Sequence, residues 1–213
     1  MNLIEVLIKG GWIMIPIAFC SVLVIVVAVE RALVLRKARI DTGQFMMHLR
    51  AIVHQGELAK AREFCEKTGG PLASVLAKGL EKHNKNPQAV RTAIEDAGRL
   101  EVHGLEKRLG MLATLAGVTP LLGFLGTVTG MIRAFMQIQN LGGSVTSNVL
   151  AGGIWEALVT TAAGLSVGIV AYIIYNGLLG RIQDRVQEME EGSVEIMELL
   201  GEGVARQPVA EGR

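Results

Sequence analysis

The chain has 213 residues, of which 50% are hydrophobic and 19% are charged, with a formal net charge of +1. Soluble domains carry about 25% charged residues, so this chain is unusually apolar. The composition excludes a disordered chain, a disulfide scaffold and a protein that binds nucleic acid through bulk positive charge. Cys20 and Cys65 show no metal or redox spacing, and we expect both to be free thiols.

The apolar residues are concentrated in three stretches, residues 11–29, 109–132 and 154–179, and only the last contains a charged residue, Glu156. Each is long enough for a membrane-spanning helix, which needs about 20 apolar residues. Buried helices of soluble proteins average about 11–12 residues and usually keep a polar face. The sequence therefore predicts an all-α integral membrane protein with three transmembrane helices. We expect the first to be retained, because its apolar core exceeds that of a signal peptide.

The basic residues predict how the chain is oriented. Residues 36–108 contain 14 Lys and Arg against 9 Asp and Glu, whereas the segment 137–153 between the second and third spans carries no charge. The positive-inside rule then places the N-terminus outside and the C-terminus in the cytoplasm. Four regions follow. They are an N-terminal tail with the first span (1–35), a cytoplasmic helical loop (36–108), two spans joined by a short periplasmic linker (109–180), and a cytoplasmic helix with a tail (181–213).

The middle loop is predicted to be helical. Apolar spacing indicates helices over 42–67 and 72–82, and a third that starts at Asn86-Pro87. We expect this third helix to continue into the second span as one long rod, bent at Pro120.

The C-terminal segment has an apolar seam at helical spacing, formed by Ile182, Val186, Met189, Ser193, Ile196 and Leu200. The seam indicates either packing against a partner or another copy, or a solvated helix with one apolar side.

Signatures of catalysis are missing from the sequence. The four histidines show no metal-binding spacing, and the glycine-rich segment 123–130 lacks the Lys-Ser/Thr ending of a phosphate loop. We expect no enzymatic activity, no metal and no cofactor.

The second and third spans contain small residues that would let helices pack closely in lipid, namely Gly123, Gly126, Gly130, Gly164 and Gly168. Four threonines lie at similar depth, Thr127, Thr129, Thr160 and Thr161. A hydroxyl in a membrane helix often bonds only its own helix, but four together favour a polar seam between helices.

The spans carry no Asp, Glu, His or Lys at mid-membrane, and Glu156 lies near the outer end of the third span. If the protein moves protons or ions, the titratable group at the bilayer centre must therefore come from another chain.

Two segments carry a family resemblance. TPLLGFLGTVTGMIRAF (119–135) and AGGIWEALVTTAAGLSVGIVAYIIYN (151–176) resemble the paired signature of the MotA/TolQ/ExbB proton-channel family. Three spans and a loop of this size are similar to the ExbB/TolQ branch and not to the four-span MotA branch. The loop sequence does not separate ExbB from TolQ, and we interpret the chain as most like ExbB.

The resemblance implies a subunit that forms a homopentamer in the bacterial inner membrane, around a dimer of a small single-span ExbD- or TolR-like protein. That partner supplies a membrane aspartate, which Thr127 and Thr161 would face, with Thr160 beside them and Glu156 toward the outer mouth. Proton flow would drive outer-membrane transport through a TonB-like protein. A TolQ-type role in the Tol-Pal envelope system, a non-conducting scaffold and a self-contained channel are the alternatives.

Overall fold

The computed structural model describes residues 10–140 and 147–205 of the chain. All regular structure within these ranges is helical, and three helices are long and apolar enough to cross a membrane. The prediction of an all-α membrane protein with three spans is thus confirmed. The helices are α1 (Met14–Lys37), α2 (Thr42–His54), α3 (Leu58–Thr68), α4 (Pro71–Glu81), α5 (Pro87–Glu106), α6 (Leu109–Asn140) and α7 (Ser147–Ala205).

The chain divides into two compact units. One, which we call the membrane unit, comprises Met1–Arg31 and Arg108–Leu178; the other, the amphipathic unit, comprises Ala32–Lys107 and Leu179–Arg213. The membrane unit contains most of α1, all of α6 and the first half of α7. Helices α2 to α5 and the second half of α7 make up the amphipathic unit.

Local signals explain the helix boundaries in the amphipathic unit. The side chain of Asp41 accepts a hydrogen bond from Gln44 N at 3.1 Å, and that of Asn86 accepts one from Ala89 N at 2.7 Å. These N-caps confirm the predicted helix starts. The prediction of one helix over 42–67 is wrong, because Gly56, with a φ of 76°, separates α2 from α3.

The predicted rod from the loop into the second span is also interrupted. Helix α5 ends at Glu106 and α6 begins at Leu109, with ψ of 132° at Lys107 and φ of 63° at Arg108. The left-handed conformation costs a non-glycine residue roughly 1–2 kcal/mol. The guanidinium of Arg108 bonds the carboxylate of Glu30, which Arg31 also contacts at 2.9 Å. Helix α6 continues through Pro120, where the bend stays a prediction.

The apolar seam of α7 is packed within the amphipathic unit. Ile182 and Ile196 are fully buried. Gly192 allows α7 to lie close to α4, since a Cβ at this position would be 2.7 Å from Leu72 Cδ1. Arg50 of α2 donates to Glu195 of α7 at 2.9 Å. The fully solvated helix is thus excluded, because the chain's own α2 and α4 contact this part of α7. Packing against a partner or another copy stays a prediction.

Both cysteines are buried free thiols, as expected. Burial raises the pKa of the Cys65 thiol to about 12, so this side chain stays protonated at neutral pH.

A glycine in α4 tests the packing of the amphipathic unit. A Cβ on Gly79 would lie 2.7 Å from Ile94 Cγ1 of α5, whereas a Cβ on Gly98 would meet nothing within 4 Å. We expect Gly79→Ala to lower the free energy of unfolding by about 1–3 kcal/mol through overpacking. Gly98→Ala, the matched control, should raise it by about 0.5–1 kcal/mol. Denaturant titration of the full chain in detergent measures both, and equal stability of the two variants would contradict the packing.

Candidate functional site

Helices α6 and α7 approach each other at backbone distance in the membrane unit. A Cβ on Gly164 of α7 would lie 2.8 Å from both Gly123 Cα and Thr119 O of α6. One turn further along, a Cβ on Gly168 would lie 2.6 Å from Pro120 Cδ. Neither position has room for a side chain, because the atoms opposite belong to the backbone or to a rigid ring.

The same close contact continues toward the other end of α6. A Cβ on Gly126 would lie 2.6 Å from Thr160 Cβ, and one on Gly130 would lie 3.1 Å from Ala157 Cβ. The contact extends to Ala134, which is fully buried and whose Cβ would lie 2.6 Å from a Cβ on Gly153 of α7. At 1.5 Å per residue, the interface from Pro120 to Ala134 is about 21 Å long. It therefore extends over most of a hydrocarbon core of about 30 Å.

The five glycines singled out in the sequence thus all lie between α6 and α7. In lipid, helices gain little from the hydrophobic effect when they associate, so close van der Waals contact between small residues holds such pairs together.

Two threonines form a hydrogen-bonded pair across this interface. The hydroxyls of Thr127 on α6 and Thr161 on α7 bond each other. The Thr161 hydroxyl also lies 3.1 Å from two carbonyl oxygens, Gly123 O on α6 and Ala157 O on its own helix. Both side chains are half-buried. The pair is therefore a polar contact between helices and remains partly accessible.

The other two threonines bond their own helices. Thr160 is fully buried and donates to Ala157 O at 2.9 Å and to Glu156 O at 3.0 Å. Thr129 donates to Leu125 O at 3.0 Å. The structure therefore brings Thr127 and Thr161 together, places Thr160 against Gly126, and leaves Thr129 with a purely intrahelical bond.

Glu156 forms an ion pair that the sequence analysis missed. Its Oε1 accepts a hydrogen bond from Arg133 Nη1 of α6 at 2.7 Å, and the side chain is 24% exposed. The backbone of Gly11, before α1, packs against the same carboxylate: a Cβ at Gly11 would lie 2.9 Å from Glu156 Cδ. The φ of 69° at Gly11 also favours glycine. Segments from all three spans thus meet at Glu156.

The start of α1 also packs on both other helices. Ile13, Met14 and Ile17 are buried and contact Leu122 of α6 and Val167 of α7. The opposite side of α1 exposes large apolar side chains, among them Trp12, Ile15, Phe19, Val22 and Val26. In a membrane, such a surface contacts lipid or other apolar helices.

Substitutions at the glycines test the interface. We expect Gly164→Val to lower the stability of the purified chain by about 2 kcal/mol or more, because the backbone opposite cannot shift. Gly177→Val on the same helix is the matched control, since a Cβ there meets nothing within 4 Å. Thermal unfolding in detergent compares them, and identical unfolding temperatures would refute the close approach.

A double-mutant cycle tests the ion pair. We expect Arg133→Gln and Glu156→Gln to show a coupling free energy of about 0.5–1.5 kcal/mol, because each single change leaves the other charge without its partner. Arg133→Gln combined with Glu63→Gln, a remote carboxylate, should be additive. Additivity in the first cycle, measured by thermal unfolding of the full chain, would show that the two charges do not interact.

Within residues 10–140 and 147–205, no group of three or more His, Cys, Asp or Glu side chains is placed to hold a metal ion. The polar groups described at the α6–α7 interface are threonine hydroxyls, backbone carbonyls and the Arg133–Glu156 pair.

Comparison with known proteins identifies the family to which the chain belongs. The family described as the MotA/TolQ/ExbB proton channel family matches residues 67–191, which include all of α6 and most of α7. The biopolymer transport protein ExbB-like 1 of Synechocystis sp. is 35% identical over 183 residues, 84% of this chain and 71% of that protein.

Two further relatives carry the names of two different systems. The biopolymer transport protein exbB1 of Vibrio cholerae is 31% identical over 197 residues, 89% of this chain and 84% of that protein. The Tol-Pal system protein TolQ of Haemophilus influenzae is 38% identical over 104 residues, 46% of this chain and 45% of that protein. The chain belongs to the MotA/TolQ/ExbB proton channel family, in its ExbB-like branch.

Proposed function

We propose that this chain is the proton-channel subunit of an inner-membrane complex that couples the proton motive force to outer-membrane transport, of the ExbB–ExbD–TonB type. Family membership supports the general role, a membrane subunit of the proton-channel type in an energy-transducing complex. The family is one of channel subunits and is not known as an enzyme family. The single observation that carries the specific proposal is the Thr127–Thr161 pair in an interface without central charges.

The proposed partners rest on family membership, and the lack of a titratable group at mid-span agrees with them. We infer a homopentamer of this chain around a dimer of a small single-span protein, whose aspartate takes up and releases protons at mid-membrane. A TonB-like protein would transmit the resulting movement. The exposed apolar surfaces of the membrane unit provide area for such contacts as well as for lipid.

The proposed orientation places the N-terminus in the periplasm and the C-terminus in the cytoplasm. It rests on the excess of Lys and Arg in residues 36–108 and on the uncharged segment between α6 and α7. Residues 36–108 and 181–213 are then cytoplasmic, and the Arg133–Glu156 pair lies at the periplasmic end of the proton path.

The hydrogen bonds of the threonine pair suit a proton-accepting aspartate on the partner. A hydroxyl has one hydrogen, and the hydroxyls of Thr127 and Thr161 have acceptors within the chain. Their remaining lone pairs can accept a hydrogen bond from a neutral carboxylic acid. A fixed cation would instead lower the pKa of the acid and hold it ionised. The threonine pair therefore stabilises the protonated form of the partner's carboxyl group and does not hold that group in its ionised form.

The driving force is sufficient for a mechanical step. One elementary charge that crosses a potential of 100 mV releases about 2.3 kcal/mol. This energy exceeds a single neutral hydrogen bond, which contributes about 1 kcal/mol net. Each proton can therefore move the partner's carboxyl from one threonine pair to the next.

A TolQ-type role is the second candidate, since the Haemophilus influenzae protein named TolQ is 38% identical over its matched region. Four relatives with ExbB names match over 78–89% of this chain, whereas TolQ and two further ExbB proteins each match over 46%. We favour the ExbB type for this reason.

Proton flux tests the role of the threonine pair. With the chain co-reconstituted in liposomes with its single-span partner, we expect Thr127→Ala/Thr161→Ala to reduce flux about tenfold or more, since two hydrogen bonds of about 1 kcal/mol each are lost. Thr127→Ser/Thr161→Ser keeps both hydroxyls and should retain most of the flux.

The matched control is Thr114→Ala on α6, whose hydroxyl bonds only Gly110 O of its own helix. Full flux in the double Ala variant, with the assembly intact by gel filtration, would instead favour a non-conducting scaffold. Loss of assembly in the Ser variant would show that the pair is structural.

A further inference from the structure

An open groove lies between α5 and α7 of the amphipathic unit, with a volume of about 630 Å³. Its floor is apolar and consists of Val102 of α5 with Leu179, Ile182 and Val186 of α7. Ile182 is fully buried, whereas the other three remain half-buried. The chain's own helices therefore leave part of this apolar surface uncovered.

The rim of the groove is acidic. Glu106, Glu190 and Glu191 line it and are exposed. Among the described residues that line the groove there is no Lys or Arg. Glu191 accepts a hydrogen bond from the neutral Gln187 at 2.9 Å, and among the described residues it forms no ion pair. The nearby Arg185 is 2.6 Å from Glu188 and does not line the groove.

The dimensions suit one helical segment of a partner. The lining residues on α7 extend from Leu179 to Glu191, a distance of about 18 Å at 1.5 Å per residue. A partner helix of about 12 residues has this length, and its apolar side chains at i, i+3 and i+4 would contact the floor.

The acidic rim determines which kind of partner the groove can bind. Anionic lipid headgroups would be repelled by three carboxylates. A segment with apolar residues on one face and Lys or Arg on the other would match both the floor and the rim. In a membrane protein with a single span, the cytoplasmic segment beside the span is where Lys and Arg accumulate. The groove begins at Leu179, where the third apolar stretch ends, so such a segment could reach it.

We propose that the groove between α5 and α7 binds the basic amphipathic segment that adjoins the membrane span of the single-span partner. This inference rests on the proposed function for the identity of the partner. The partner would then contact this chain at two places. Its aspartate would contact the threonine pair within the membrane, and its basic segment would bind the groove outside the membrane.

Peptide binding tests the chemistry of the groove. The full chain is placed in phosphatidylcholine nanodiscs, and a fluorescent 14-residue peptide of leucine and lysine, with leucines at i, i+3, i+4 and i+7, is titrated against it. We expect E106Q/E190Q/E191Q to weaken binding about tenfold, because three favourable charge interactions are lost. The control E57Q/E63Q/E66Q removes three charges from the α3 region and should change the affinity less than twofold. Equal weakening in both variants, or equal binding of a leucine–glutamate peptide, would overturn the proposal.

Photo-crosslinking tests the occupant. Benzoylphenylalanine at Val186 lies in the groove, and at Met47, which is 66% exposed on α2, it serves as the control position. In the complex with the single-span protein, we expect Val186 to crosslink the segment beside that protein's span, mapped by mass spectrometry. A crosslink to a second copy of this chain would show that the groove is an interface between copies. A crosslinking yield no higher than at Met47 would show that the groove has no occupant. Either result overturns the proposal.

Proton flux measured on the same preparation separates the two proposals. Flux without a crosslink at Val186 refutes the groove proposal alone. A crosslink without flux refutes the proton-channel role and retains the groove as a docking site.

Discussion

The close approach of α6 and α7 is the constraint on which the membrane unit depends. At Gly123 and Gly164 the two backbones are so close that a single methyl group on Gly164 would lie 2.8 Å from backbone atoms. Because lipid offers no hydrophobic force to bring helices together, this contact between small residues supplies the packing. The contact also determines which side chains meet. When the helices are rotated so that the glycines of α6 face those of α7, Thr127 lies next to Thr161 and Arg133 lies next to Glu156.

Polar groups are distributed in the membrane unit according to the cost of burying them. Hydroxyls, which can bond a backbone carbonyl of their own helix, lie between α6 and α7. Charged side chains occur as pairs near the ends of the apolar stretches, where Arg133 contacts Glu156, and Arg31 and Arg108 contact Glu30. An unpaired charge at mid-membrane would cost several kcal/mol. The described part of the α6–α7 interface is therefore polar without carrying a charge at its centre.

Much of the fold could be predicted from the sequence, and the predictions that were wrong or missing have identifiable physical causes. The helix starts at Asp41 and Asn86 follow from their side-chain oxygens, a local signal. The break at Lys107-Arg108 contains neither Gly nor Pro, and the bond from Arg108 to Glu30, 78 positions earlier, accompanies it. The ion pair of Arg133 and Glu156 was missed because the sequence showed two isolated charges near helix ends. Their meeting depends on the helix packing.

The sequence by itself determined the three spans, the glycine-rich faces of the second and third, and the lack of a charge at mid-membrane. These properties belong to composition and helical period, which each segment carries alone. Only the tertiary structure decided that Thr127 bonds Thr161 while Thr160 bonds its own helix, and that α2 and α4 contact the second half of α7. Such pairings depend on the rotation and axial offset between helices, and these arise when backbones pack against each other.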